Sequence, residues 1–168
     1  AWIEYYENGN IKSENYCINN KKHREDGPAV IEYYENGNIR MEIYLINNIT
    51  YRKDDATIIE YYESGNIKSE LYYINRELHR EDGPARIDYY ENGVVKNNIY
   101  FIHDKDLTKE YNLYKYILCK YDYLSKQTIE EENDINKLMI MNIIHKEKND
   151  LELLDLVESK ITLLKLSK

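Results

Sequence analysis

Two histidine–aspartate pairs stand out in a chain otherwise poor in reactive side chains. His23-Arg24-Glu25-Asp26-Gly27-Pro28 recurs as His79-Arg80-Glu81-Asp82-Gly83-Pro84. A histidine with an aspartate three residues on could serve general acid–base chemistry or hold a metal ion. Both pairs, however, sit in a turn that itself recurs, and the corresponding place in the stretch between them carries Tyr51. The pairs are 56 residues apart with an unlike segment between, too far to share one ion. Carboxylates such as Glu14 and Glu32 also recur with the period. A working acid–base pair is a unique constellation with one shifted pKa, so these read as a solvated charged rim. Cys119 and His145 fall on different predicted helices and form no dyad. No Gly-rich phosphate loop, zinc-ligand spacing or nucleophile elbow occurs. The residues therefore predict a non-enzyme, with no catalytic residue, no cofactor and no metal site.

The elements that carry these residues repeat every 28 positions. Ile3-Glu4-Tyr5-Tyr6-Glu7-Asn8-Gly9-Asn10-Ile11-Lys12 returns from Ile31, from Ile59 and, as Ile87-Asp88-Tyr89-Tyr90-Glu91-Asn92-Gly93-Val94-Val95-Lys96, a fourth time. A fixed period in this range marks a repeat architecture. Asn-Gly between apolar residues is a strong hairpin signal, because both turn residues accept positive φ. Asn8-Gly9, Asn36-Gly37 and Asn92-Gly93 provide it, and Gly65 after Ser64 is a weaker form. Closing each hairpin there sets Tyr6 opposite Ile11 and Tyr5 opposite Lys12. One face then carries Ile3, Tyr5, Tyr16 and Ile18, with Lys12 and Glu14 towards the turn. The other carries the variable positions Trp2, Val30, Ile58 and Arg86, with Asn15, Ile43, Leu71 and Ile99. Neighbouring units should align these into ladders of Ile and Tyr, each unit adding roughly 10 Å of sheet.

Each second strand runs into a polar turn at Asn19-Asn20, Asn47-Asn48 or Asn75-Arg76, and then into Asp-Gly-Pro. There Gly27 and Gly83 are expected to take the awkward φ, and Pro28 and Pro84 to start the next strand. The second unit breaks this pattern with Tyr51-Arg52-Lys53-Asp54-Asp55-Ala56, and the fourth loses it at His103-Asp104-Lys105-Asp106. Ala1 falls on the repeat position of Ala29 and Ala85, which predicts further repeats upstream in a longer parent protein.

After residue 106 the period disappears and helical spacing replaces it. Thr108-Lys109-Glu110 is expected to cap a helix with Tyr111, Tyr114, Ile117, Leu118 and Tyr121 on its apolar face. A second helix should start at Thr128 and run through Leu138, Met139, Met141, Ile143 and Ile144 to about His145. A last helix would place Leu153, Leu154, Val157, Ile161 and Leu164 on one face. The predicted organisation is four hairpin units over 1–106 (1–28, 29–56, 57–84 and 85–106) and a helical segment over 107–168. That segment either caps the open sheet edge or docks a partner. The fold class is mainly β: a single-layer antiparallel sheet of hairpins followed by a small α-helical tail.

The 168 residues carry 19 Tyr but one Phe and one Trp, so nearly every aromatic ring has a polar handle. The formal charge of −8 excludes a phosphate-binding surface, so no nucleic-acid partner is expected. No cationic amphipathic helix and no apolar run of about 18 residues is present, which leaves a membrane partner disfavoured. Cys17 occupies a position held elsewhere by Leu45, Tyr73 and Phe101 and reads as a small hydrophobe in a reducing compartment. The expected location is the cytoplasm, with no secretory signal in view.

Gly-Pro-Ala-x-Ile-Glu-Tyr-Tyr-Glu-Asn-Gly-Asn-Ile-Lys-x-Glu-x-Tyr resembles the variant form of the MORN repeat, over residues 1 to about 106. Such repeats occur in bacterial proteins, some described as antitoxins, and in many proteins of giant DNA viruses. The resemblance implies an elongated sheet of hairpins and a role in protein contact or membrane association. A viral origin, to which the Asn-, Ile-, Lys- and Tyr-rich composition leans, would place the chain in host cytoplasm or in the virion. The functional expectation is a protein-interaction scaffold that binds a protein through a Tyr-rich sheet face, or alternatively an antitoxin-like neutraliser of a basic partner. Trp2, Tyr6, Tyr34, Tyr62, Arg86 and Tyr90 are the expected contact residues. Self-association through the sheet edge or the C-terminal helices is the other partner expectation.

Overall fold

The computed structural model of the chain describes residues 1–53, 55–113, 129, 132–148 and 151–166. By their contacts the residues fall into two units, 1–80 with 84–99, and 81–83 with 100–168. The last small hairpin, over residues 101–106, thus groups with the second unit.

The first unit is an eight-stranded antiparallel sheet in which sequence neighbours are spatial neighbours. Its strands are β1 (Trp2–Tyr5), β2 (Ile11–Asn15), β5 (Val30–Tyr33), β6 (Ile39–Ile43), β9 (Ile58–Tyr61), β10 (Ile67–Leu71), β13 (Arg86–Tyr89) and β14 (Val95–Ile99). After each major hairpin comes a minor one: β3 (Cys17–Ile18) with β4 (Lys21–Lys22), β7 (Leu45–Ile46) with β8 (Ile49–Thr50), β11 (Tyr73–Ile74) with β12 (Glu77–Leu78), and β15 (Phe101–Ile102) with β16 (Lys105–Asp106). The 28-residue period therefore encodes two hairpins per unit, not one hairpin and a return.

The two turns of each unit use different chemistry. Asn19 and Asn20 both have positive φ (51° and 60°), as do Asn47-Asn48, Asn75-Arg76 and His103-Asp104. This is the two-residue type I′ signature, and it lies in the minor hairpins. The major turns differ from expectation. Gly9, Gly37, Gly65 and Gly93 have positive φ, but the residue before each does not. The amide of Gly9 donates to the Tyr6 carbonyl at 3.0 Å and the amide of Tyr6 to the Asn10 carbonyl at 2.8 Å, a type I turn closed by a left-handed glycine. Asn8 instead uses its side chain, whose Oδ1 accepts from the Asn10 amide at 2.9 Å.

The register agrees with expectation away from the turn and departs from it beside the turn. Trp2 pairs with Asn15, Ile3 with Glu14 and Glu4 with Ser13, but Tyr5 meets Ile11 and not Lys12. The break falls at the same place in every unit. It leaves Lys12, Arg40, Lys68 and Lys96 as the extra residues of four β-bulges, which turn a cation out of the pleat. Ile3 and Tyr5 still share a face. Across the strands the pairing builds one row Ile3–Glu14–Ile31–Glu42–Ile59–Glu70–Ile87–Asn98, in which isoleucine alternates with a polar residue. The opposite face carries the row Trp2–Asn15–Val30–Ile43–Ile58–Leu71–Arg86–Ile99.

The Asp-Gly-Pro loop also needs its glycine for a different reason. Neither Gly27 nor Gly83 is among the positive-φ residues. A Cβ on Gly27 would instead lie 3.1 Å from Cζ of Arg24, whose guanidinium stacks on the Tyr16 ring at 4.1 Å. Arg52 stacks on Tyr44 at 4.0 Å and Arg80 on Tyr72 at 3.9 Å. The second unit's loop, irregular in sequence, therefore keeps the one residue that matters there. Arg52 is held in place by Asp55 at 2.8 Å and by the Ala56 carbonyl at 3.1 Å.

The second unit has its own core. Tyr100, Ile102, Leu107 and Tyr111 meet Ile129, Leu138, Met139, Ile140, Met141, Ile143 and Ile144, with Val157 and Ile161 closing it. A helix opens at residue 108 and is described as far as 113 (α1). Helix α2 is Ile135–Lys148 and α3 is Leu151–Leu166. Residues 132–134 are not helical, and Asp134 caps α2: its Oδ1 accepts from the Asn136 amide at 2.9 Å. That places the start of the helix seven residues after Thr128, which itself lies outside the described residues, as do Tyr114, Ile117, Leu118, Cys119 and Tyr121. Helix α2 is buried on all sides from Leu138 to His145, and α3 covers it through Leu153, Leu156, Val157, Ile161 and Leu164. Tyr100, the fourth copy of Tyr16, has no arginine after it in sequence. Tyr111 takes that place, stacked at 3.7 Å, with its hydroxyl on Glu147 at 2.6 Å.

Two glycine substitutions separate the two loop mechanisms. Gly37→Ala forces an alanine to φ +91° in open space and should cost about 1–2 kcal/mol whatever its neighbours are. Gly27→Ala should also destabilise, but only while Arg24 is present, so its effect should largely vanish in an Arg24→Ala background. Urea unfolding of the single and double variants reads both.

Candidate protein-binding surface

Three polar contacts join each unit to the next. The first runs from the ring beside the turn: the Tyr6 hydroxyl donates to the Tyr33 carbonyl at 2.6 Å, Tyr34 to Tyr61 at 2.7 Å, and Tyr62 to Tyr89 at 2.8 Å. The second joins turn to turn. Asn10 Nδ2 donates to the Glu35 carbonyl at 2.7 Å, Asn38 to Glu63 at 2.8 Å and Asn66 to Glu91 at 2.8 Å. Asn8 and Asn36 add weaker bonds of 3.3 Å to the same carbonyls of Glu35 and Glu63.

The third contact is charged. Glu14 accepts from the Tyr33 hydroxyl at 2.8 Å and from Tyr16 of its own unit at 2.6 Å. Glu42 accepts from Tyr61 at 2.8 Å, and Glu70 from Tyr89 at 2.6 Å. The Tyr16 and Tyr33 hydroxyls hold the Glu14 carboxyl below its ordinary value. Burial, and then the Glu14 bond, push Tyr33 up to about 12. Tyr61 and Tyr89 are raised by the same two causes in the same order.

The residues that suggested catalysis are parts of this framework. Register places Glu14 against Ile31 and Glu32 against Ser13, on opposite faces of the sheet, so they form no carboxylate pair. Nor is Glu14 a solvated rim residue, since two tyrosine hydroxyls hold it. Asp26 is bound by Arg24 at 2.9 Å, while His23 turns its Nδ1 to Asn47 Oδ1 of the next unit at 3.1 Å. His79 is buried. Among the described residues no cluster of His, Cys, Asp and Glu could hold a metal ion.

Of the expected contact residues, Tyr6, Tyr34 and Tyr62 are half-buried and their hydroxyls bridge units. Tyr90 is 52% exposed and Trp2 65%. Arg86 is half-buried and tied to Asp88 at 2.8 Å on the face it shares with Trp2. The sequence reading missed the glutamates, the turn asparagines and the arginines. A signal for the first two was present in the fourth unit, which has Val94 where the others have Asn10, Asn38 or Asn66, and Asn98 where they have Glu14, Glu42 or Glu70.

Hairpins joined side by side through equivalent bonds define a β-repeat array in the first unit. The family described as MORN repeat variant matches residues 1–17, 29–47 and 55–75, so these three stretches are MORN-variant repeats. The unit from residue 85 has the same pair of hairpins. Searches of the curated proteins and of the solved structures give no match. MORN repeats are modules of protein or membrane interaction, and their family is one of non-catalytic scaffolds. Among the described residues, no helix is long and apolar enough to cross a membrane.

The Tyr–Glu contacts fix the pH window of stability. Tyr33 has a folded pKa of about 12 against about 10 unfolded, so its contribution is complete below about pH 10 and is lost as pH rises through 12. Glu14 has the opposite sign. Its folded pKa is lowered, so its contribution is present above about pH 4.3 and is lost as pH falls through the folded value. Thermal unfolding across pH should show a plateau with both flanks falling, and Tyr33→Phe should flatten the alkaline flank.

Proposed function

We propose that this chain is a non-enzymatic scaffold that binds a protein partner through the outer surface of its sheet. The exposure of Trp2 and Tyr90 carries the reading, because aromatic side chains concentrate binding energy at protein interfaces. Trp2 heads the row that continues through Val30, Ile43 and Ile58 to Arg86 and Ile99, so an anchor residue and a cation lie on one face. The half-buried rings of Tyr6, Tyr34 and Tyr62 line the route between units with their hydroxyls already bonded. They offer a partner apolar ring surface more than hydrogen bonds. Asn8, Asn36 and Asn92 mark the turns at one border of that surface. The exposed thiol of Cys17 suits a reducing cytoplasmic location.

A second reading rests on charge. Before residue 108 the chain has 13 Lys and Arg against 20 Asp and Glu, and the remainder is nearly balanced. The acids Glu4, Glu32, Glu60 and Asp88 fall in one row of the sheet, on the Trp2 face. Such a row suits a basic partner whose activity the chain would cover, in the manner of an antitoxin.

Capture on immobilised full-length chain, followed by a salt titration of the captured protein, separates the two. The scaffold reading predicts binding that survives salt and falls at least tenfold in Trp2→Ala/Tyr90→Ala with the circular dichroism unchanged. The neutraliser reading predicts release as the Debye length shrinks below about 8 Å. A turnover activity abolished by His79→Ala and untouched by the aromatic variants would overturn both.

A further inference from the structure

Asn-Gly closes three of the four major turns, and it is also the dipeptide most prone to spontaneous deamidation. Glycine has no side chain to shield its amide, so its nitrogen can reach the carboxamide carbon of the preceding asparagine. The turns at Asn36 and Asn92 make the same local bonds. Gly37 donates to the Tyr34 carbonyl at 3.0 Å and Gly93 to the Tyr90 carbonyl at 2.9 Å. Asn36 Oδ1 accepts from the Asn38 amide at 2.9 Å, and Asn92 Oδ1 from the Val94 amide at 3.1 Å. The nitrogen can attack only when the turn opens locally, and these bonds oppose that alike in both turns.

The bonds to the next unit set the two turns apart. Around Asn36 three side chains are tied across the joint. Tyr34 donates to the Tyr61 carbonyl at 2.7 Å, while Asn36 and Asn38 donate to the Glu63 carbonyl at 3.3 Å and 2.8 Å. The Asn36 bond holds the very nitrogen that would have to leave. In the fourth unit Val94 has no carboxamide to give. Among the described residues, neither Asn92 Nδ2 nor the Tyr90 hydroxyl has a hydrogen-bond acceptor. Asn92 is exposed, as is Tyr90, and a Cβ on Gly93 would meet open space. We propose that Asn92 is a site of spontaneous modification, deamidating through a cyclic imide while the same dipeptide inside the array is protected by its joint. The Gly93 nitrogen, having lost its proton, bonds to Asn92 Cγ; the Cγ–Nδ2 bond breaks and ammonia leaves with the proton. Water then opens the imide at either carbonyl, giving aspartate or isoaspartate, with no oxidant or reductant involved. The product adds a carboxylate to the β13–β14 hairpin, which carries Arg86 and Tyr90. Isoaspartate also lengthens the main chain of that turn by a methylene, and the joints of the earlier units stay as they are.

Incubation of the folded full-length chain at mildly alkaline pH, with peptide mapping at intervals, reads both sites. Asn92 should convert about tenfold faster than Asn36, the factor set by the restraint of a typical hydrogen bond. In guanidinium chloride the two rates should converge, because glycine follows both asparagines and the joints are gone. Asn38→Val should bring the Asn36 rate towards that of Asn92. If that variant misfolds, the wild-type rates in the folded and unfolded chain decide alone. Equal rates at the two sites in the folded chain, a tenfold ratio that persists on unfolding, or an Asn36 rate unmoved by a folded Asn38→Val would each overturn the proposal.

Discussion

The sheet depends on a carboxylate shared between units. A hairpin is marginal alone, and a single-layer array has no second sheet to bury its face, so each joint must provide stability and register together. Glu14, Glu42 and Glu70 do both. Each sits between two isoleucines of neighbouring units in the cross-strand row and binds the next unit's tyrosine hydroxyl at 2.6–2.8 Å. A hydrogen bond to a charged acceptor contributes roughly 1.5–3 kcal/mol net, more than a neutral one. A one-residue slip would turn every one of these carboxylates to the opposite face and leave the hydroxyls without it. Register is therefore fixed by polar geometry as much as by apolar pattern.

The arginine–tyrosine stacks extend the same logic to the loops. Arg24, Arg52 and Arg80 each lie about 4 Å over a tyrosine of their own unit. They neutralise part of the negative charge brought by the glutamate row, and Arg24 lowers the Glu14 pKa through space as the smallest of its causes. Where the array gives way to helices, Tyr100 trades the cation for a stacked Tyr111, and Glu147 accepts the Tyr111 hydroxyl. The pairing of tyrosine with carboxylate survives the change of architecture, with a helix in place of a hairpin.

Much of this was legible in the sequence, though not all for the reason the sequence suggested. The 28-residue period gave the hairpin array, its four units and the sidedness of Ile3, Tyr5 and the Trp2 row. The Asn-Gly motif pointed to the right turn with the wrong geometry, because a type I turn with a left-handed glycine also ends in Asn-Gly. The true type I′ pair, Asn19-Asn20, was legible as a polar turn but not as the loop of a second hairpin. The bulges at Lys12, Arg40, Lys68 and Lys96 leave no mark in an alternation pattern, which counts residues and not hydrogen bonds. Helix α2 starts at Ile135 because Asp134 has the geometry of a cap, with its Oδ1 on the Asn136 amide. Glu14 looked solvated because a charge on a repeat implies a rim. What turns it inward is a tyrosine 19 residues later, a separation no local rule spans.

Repetition also separates the residues that join units from those that vary between them. A contact present in every unit holds the array together, whereas Trp2, Arg86, Val94 and Asn98 are places where a unit departs from the period. The central claim, that the Glu–Tyr joint holds the units in register, is tested most directly by a double-mutant cycle on Glu42 and Tyr61, which lie in the interior of the array. Glu42→Gln and Tyr61→Phe should each destabilise the chain to urea. A coupling energy of about 1–2 kcal/mol between them is the predicted result. Additive effects, with no coupling beyond about 0.3 kcal/mol, would contradict it.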